Sequence, residues 1–178
     1  MTFYYLIASL PALSLGAPPP MTVAGLLEDV RRVADPVAAA ELAALVADDA
    51  SSARSSLAAR WRAAQTQLGN ALARTRAARL DVDPAAYLRP HEGFSNYLEM
   101  AVLDACAKPN PLERELSLDR FRWSLLEEWA REQPFGLDAL LAYGLKLKLA
   151  ERWAALTDEA GRTRLAETVK SVREALKP

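Results

Sequence analysis

The residues able to do chemistry are few and scattered. Cys106 and His91 are the chain's single cysteine and single histidine, and a thiolate–imidazole pair is the one nucleophilic arrangement they allow. One of each supplies neither a disulfide framework nor a protein-only zinc site. Glu115, Asp119 and Arg122 follow one another at i, i+4 and i+7. Two carboxylates on one helical face suit acid–base work, yet no nucleophile or electrophile stands near them in the sequence. The same trio fits an ion pair at a groove between packed helices, with Arg122 reaching Asp119, or a polar contact to a partner protein. A third cluster is electrostatic. Between Ala50 and Leu80 there are six arginines (Arg54, Arg60, Arg62, Arg74, Arg76, Arg79) and no acid, whereas Glu28 to Asp49 is net acidic. Either the two segments neutralise one another as neighbouring helices, or Arg60, Arg62, Arg74, Arg76 and Arg79 present a docking surface to an acidic partner.

Motifs for nucleotides, metals or hydrolysis are absent. There is no GxGxxG, GxxxxGK[ST], GxSxG or HExxH. Acids and bases nearly cancel, 23 against 22, which disfavours a nucleic-acid binder. The aromatic residues stand at helical core spacing and not on a basic surface, so base stacking is not expected. No cofactor, metal or small-molecule substrate is implied. A binding or structural role is favoured over catalysis.

The elements that position these residues read as helices. Of the residues, 51% are hydrophobic, but much of this is Ala, with few β-branched side chains. Ala, Leu, Arg and Glu are strong helix formers, and the expectation is an all-α bundle of about seven helices. A length of 178 residues suits a single domain, with a possible lobe boundary near the irregular stretch 81–95, the part expected to be most mobile. Phe3 to Leu10 is apolar and suits a strand or a helix. Pro11 and Pro18-Pro19-Pro20 close it. No Lys or Arg precedes that run, which is too short to span a bilayer, so neither a signal peptide nor a membrane span is expected.

Thr22 caps a helix carrying Leu26, Leu27, Val30 and Val33. Asp35-Pro36 opens another, which ends at Asp48-Asp49. Serines at 51–52 or 55–56 begin the longest helix, reaching Leu80 with Leu57, Trp61, Ala64, Leu68 and Leu72 along one face. Asn96 to Ala107 is a short helix. Pro109 to Trp153 follows as a pair of long helices broken at Gln133-Pro134-Phe135-Gly136, and it holds three of the four Trp. Its first member has two apolar stripes; its second is apolar nearly all round, the mark of a bundle's central helix. Trp123 and Trp153 are both expected to be buried. A last amphipathic helix, Leu165 to Leu176, follows Gly161.

Three stretches together carry a family resemblance: Tyr4-Tyr5-Leu6-Ile7-Ala8-Ser9-Leu10-Pro11, PNPLERELSLDRFRW at 109–123, and LDALLAYGLKLKLAERW at 137–153. They resemble an uncharacterised family of short helical proteins encoded in bacterial V-type (A/V-type) ATPase operons. That family is similar in its succession of helices to the funnel-shaped protein of those ATPases that seats the central stalk on the membrane rotor ring. Leu68 to Arg74 and Leu141 to Lys148 share a Leu, a small residue, a polar or Tyr position and a basic tail, comparable to the repeated helical units of that funnel protein. The resemblance implies a non-catalytic coupler in ion transport, cytoplasmic and peripheral to the membrane through the complex. Its partners would be the V-type ATPase subunits of the central stalk and the rotor ring. The alternative is an assembly factor or soluble adaptor that binds transiently. The resemblance transfers no catalytic residue.

Overall fold

The computed structural model describes residues 3–47 and 52–175. Helix takes up 74% of the chain and there is no strand among the described residues, so the protein is all-α. Among the described residues eight α-helices run in order: α1 Tyr4–Ser9, α2 Val23–Val33, α3 Pro36–Val46, α4 Ser56–Leu80, α5 Asn96–Ala107, α6 Pro111–Glu132, α7 Leu137–Ala154 and α8 Asp158–Ala175. One 3₁₀ turn, Ala85–Tyr87, lies between α4 and α5.

The ambiguous opening is a helix. With no strand to pair with, its backbone groups are satisfied locally. Phe3 is buried and donates its N–H to the Phe135 carbonyl at 2.8 Å, while Tyr4 stacks on the Phe135 ring at 4.6 Å. The N-terminus is thus sewn to the turn between α6 and α7. Leu10 is extended, and the chain then leaves along Pro11, whose carbonyl accepts from the Tyr143 hydroxyl.

Helix starts follow the capping residues. Thr22, Asp35, Ser55, Ser95 and Asn110 each accept a backbone N–H in the first turn, and Pro36 and Pro111 occupy first-turn positions that need no donor. Ser55 therefore settles the start of α4, which at 25 residues is about 38 Å long and shorter than the earliest serines would allow. Asp81 ends it in the left-handed conformation, φ 54°. The Asp48-Asp49 stop expected for α3 lies outside the described residues, and α3 ends at Val46.

Two apolar clusters make the core. The larger joins α2, α3, the start of α4, the second half of α6 and α7; the smaller joins the middle of α4, α5 and the first half of α6. Ala64 and Leu125 pack against both, so α4 and α6 run through the two clusters. The helix at the centre is α7, which touches α2, α3, α4 and α6 and buries Leu140, Leu141, Leu145, Leu147 and Leu149. At Gly144 a Cβ would stand 2.3 Å from the Leu42 side chain, so the missing side chain is what lets α3 lie this close to α7.

Three expectations need adjustment. Val33 is exposed, leaving Leu26 and Val30 to anchor α2. The last helix begins at Asp158, not beyond Gly161, because the Thr157 hydroxyl accepts from the Ala160 N–H and Gly161 fits within the first turn. Trp153 is only half-buried, whereas Trp123 is buried at 9% exposure. Trp123→Ala should therefore cost about 3–5 kcal/mol, and Trp153→Ala less through packing. Urea unfolding checks this, and an unmoved midpoint for Trp123→Ala would rule out the core position.

Candidate interaction site

Helices α6 and α7 form a hairpin about the 133–136 break, which sets residues equidistant from the turn opposite one another. Lys146 consequently lies over the Trp123 ring at 5.1 Å, and Arg152 reaches back to the Glu115 level of α6. Between them sits Asp119, with no exposed surface. Its carboxylate accepts from Arg122 Nη1 at 2.6 Å, Arg152 Nη1 at 3.1 Å and Trp153 Nε1 at 2.8 Å. Arg152 Nη2 also donates to Glu115 at 3.0 Å, and Arg122 Nε donates to Gln65 Oε1 of α4 at 3.0 Å. Five polar side chains and a Trp thus tie three helices at one point.

Asp119 is enclosed and the Arg122 side chain is 15% exposed, whereas the Glu115 side chain is 45% exposed and pairs with Arg152. Glu115 stands at the exposed edge of an internal junction that Asp119 and Arg122 make. Its contributors from α7, Arg152 and Trp153, do not stand out in the sequence, although hairpin spacing about the break points to them.

The arginines of α4 are also largely spoken for. Arg60 pairs with Glu132 at 2.8 Å and lies over the Trp129 ring. Arg62 donates to the Ala53 carbonyl at 2.7 Å, and Arg79 to that of Cys106 at 2.6 Å. Arg74 Nη2 donates to both Glu99 oxygens at 2.7 Å. Arg60 reaches α6, and Arg74 and Arg79 reach α5. In the acidic segment before α4, the Glu41 carboxylate accepts from the N–H groups of Arg54 and Ser55 at the start of α4 and is lowered also by the Arg62 charge. Arg76 is exposed and makes no ion pair among the described residues.

Beside this helix the 81–95 stretch is held down by two amide side chains. Asn70 Nδ2 donates to the Arg89 carbonyl at 2.7 Å while its Oδ1 accepts from the Arg89 N–H at 2.9 Å. Gln67 does the same with Ser95, at 2.9 and 3.0 Å. Both amides are buried on α4 and imitate strand pairing, so this irregular stretch is tethered at two points.

Burial raises the Glu99 pKa, but hydrogen bonds from Arg74 and Gln67, with the charges of Arg74 and His91, outweigh it. The carboxyl is held below the usual carboxylate range. Burial likewise raises Glu41, and the N–H groups of Arg54 and Ser55 pull it lower still. The Arg60 hydrogen bond lowers Glu132. His91 and Cys106 share no hydrogen bond, Cys106 packs against the smaller apolar cluster, and no three acidic, His or Cys residues converge on a metal position among the described residues. No described helix is long and apolar enough to cross a membrane.

Asp119→Ala leaves Arg122 and Arg152 facing an empty acceptor, and should destabilise by about 3–5 kcal/mol in urea unfolding. Glu99 gives a pH test. A depressed folded pKa adds stability that is complete above the ordinary value of 4.5 and is lost as pH falls through the folded value. Between pH 7 and the acid side of 4.5, wild type should lose more stability than Glu99→Gln. Equal losses would detach Glu99 from the acid response.

The sequence model of a protein family of unknown function (DUF2764) matches residues 94–175, from just before α5 to the end of α8. No curated protein and no solved structure matches the chain.

Proposed function

We propose that this protein is a non-catalytic component of a V-type ATPase or ATP synthase, a funnel-like coupler between the central stalk and the membrane rotor ring. The family resemblance of the opening segment and of the α6–α7 hairpin supports the reading. The observation that carries its mechanical side is the junction at Asp119, which ties α4, α6 and α7 through a buried carboxylate. A part that passes torque must not shear between its contact faces, and a buried carboxylate held by three donors from two helices resists such sliding. The protein acts from the cytoplasmic side and is peripheral to the membrane through the complex. Arg76 on α4 is a charge available for an acidic stalk or ring surface.

The test is to isolate the intact V-type ATPase from native membranes and quantify this chain by mass spectrometry. One copy per complex, surviving a salt wash, is expected. Its absence from the washed complex, with the protein in the soluble fraction, would overturn the structural-component reading in favour of an assembly factor. Arg76→Glu should lower its occupancy without moving the unfolding midpoint. The wider set Arg60, Arg62, Arg74 and Arg76 is unsuited to that purpose, since reversing Arg60 or Arg74 also breaks an internal ion pair.

A further inference from the structure

Helix α8 follows α7 after a short break and is exposed from Gly161 to Arg173. Leu165, Val169 and Val172 stand at i, i+4 and i+7, a core-facing stripe by spacing, yet they are 66%, 42% and 52% exposed. Where α8 leaves the body, a groove of about 920 Å³ opens against the end of α7 and the start of α6. Its apolar lining includes Leu112, Ala155, Leu156 and Leu165, and three of these are large side chains about half exposed or more. The charged groups at its edge are Arg152, Arg162, Arg164 and Asp158. Arg152 is engaged by Glu115 and Asp119, and Asp158 lies at the helix N-terminus, where the dipole favours it. Arg162 and Arg164 make no ion pair among the described residues and are left unmatched.

We infer that this groove and the α8 stripe receive an amphipathic helix of a partner protein, apolar on one face and acidic along its edges. Three observations select that occupant. The apolar surface is long and continues past the groove along α8 at helical spacing, which suits a helix laid in a groove and exceeds a small ligand. The unmatched charges at the groove are both basic, so complementarity calls for carboxylates. A membrane surface fits less well, because Asp158, Glu159 and Glu167 interrupt the basic residues and α8 has no aromatic anchor. The matched family segment runs through Ala175, so it retains a helix that adds nothing to either apolar cluster. The inference does not depend on the rotary-motor reading and would hold for any partner of this chemistry.

The test uses the full-length protein and fluorescein-labelled amphipathic peptides with Leu on one face and either Glu or Lys on the other, followed by fluorescence anisotropy. The Glu peptide should bind at least roughly tenfold more tightly than its Lys twin, with the preference fading near 1 M salt, where screening reaches about 3 Å. Arg162→Glu with Arg164→Glu should exchange the preference, and Leu156→Ser with Leu165→Ser should weaken both peptides. All four residues are exposed, so unchanged circular dichroism melting is expected in each variant. Equal binding of the two peptides, or a preference that survives charge reversal, would overturn the inference. Self-association abolished by Leu165→Ser would assign the groove to a second copy, and tighter binding to phosphatidylglycerol vesicles would assign it to a lipid surface. Either result overturns it too.

Discussion

A carboxylate with no exposed surface has to be neutralised where it lies, and Asp119 imposes that constraint on the surrounding helices. An isolated buried charge costs several kcal/mol, so α6 cannot settle here until donors arrive. One comes from its own next turn, Arg122. The others, Arg152 and Trp153, come from the far end of α7, so the charge is satisfied only when the hairpin has closed in the right register. Sliding α7 by one turn would carry Arg152 about 5.4 Å away and leave the carboxylate short of partners. The close approach of α3 at Gly144 and this polar junction both fix the register of α7. Arg122 then extends the requirement to α4 through Gln65.

The same economy governs α4. Its charge looks like surplus in the sequence, but Arg60 and Arg74 meet acids from α6 and α5, and Arg79 meets a helix-end carbonyl. Arginine serves here as a long reach with a planar fork, spanning from one helix to its neighbour while its stem covers apolar surface. The Arg60 fork over Trp129 shows both uses at once. Buried amides do comparable work on the same helix, where Asn70 and Gln67 complete the hydrogen bonds of a backbone that has no regular partner. A long polar helix is therefore integrated into the fold mostly by specific pairing, with a thin apolar stripe behind it.

Helix content, the caps and the central place of α7 are legible in the sequence because each rests on local chemistry: an Asp or Asn before a Pro, a Ser or Thr before an apolar period, a helix apolar on most faces. The Asp119–Arg122 pair is legible for the same reason, being three residues apart on one helix. What escapes is non-local. Nothing in the residues around Arg74 announces Glu99, and nothing around Asn70 announces the Arg89 backbone, so the sequence leaves open whether the arginines pair internally or form a surface, and the 81–95 stretch looks loose. The α1 segment escapes because short apolar runs carry no period, and its state is decided by the absence of a strand to join. The line of Trp153 on α7 suggests a core position. The hairpin instead places it at the end of the helix, half in the junction and half in solvent.

Helix α8 is where local and tertiary logic part. Its period is that of a packed helix, and its exposure that of an unpacked one. Helices this short gain most of their stability from burying an apolar face, so a stripe of Leu165, Val169 and Val172 left in water is a cost that the rest of the fold does not relieve. The neighbouring groove repeats the pattern, with Leu112 and Leu156 exposed where α6 begins and α7 ends. On α4 most of the charges find partners within the chain; at this end neither the apolar side chains nor Arg162 and Arg164 do. A fold that settles a buried carboxylate with three donors leaves these groups together at one end, where a second helix laid on them would remove their apolar side chains from water.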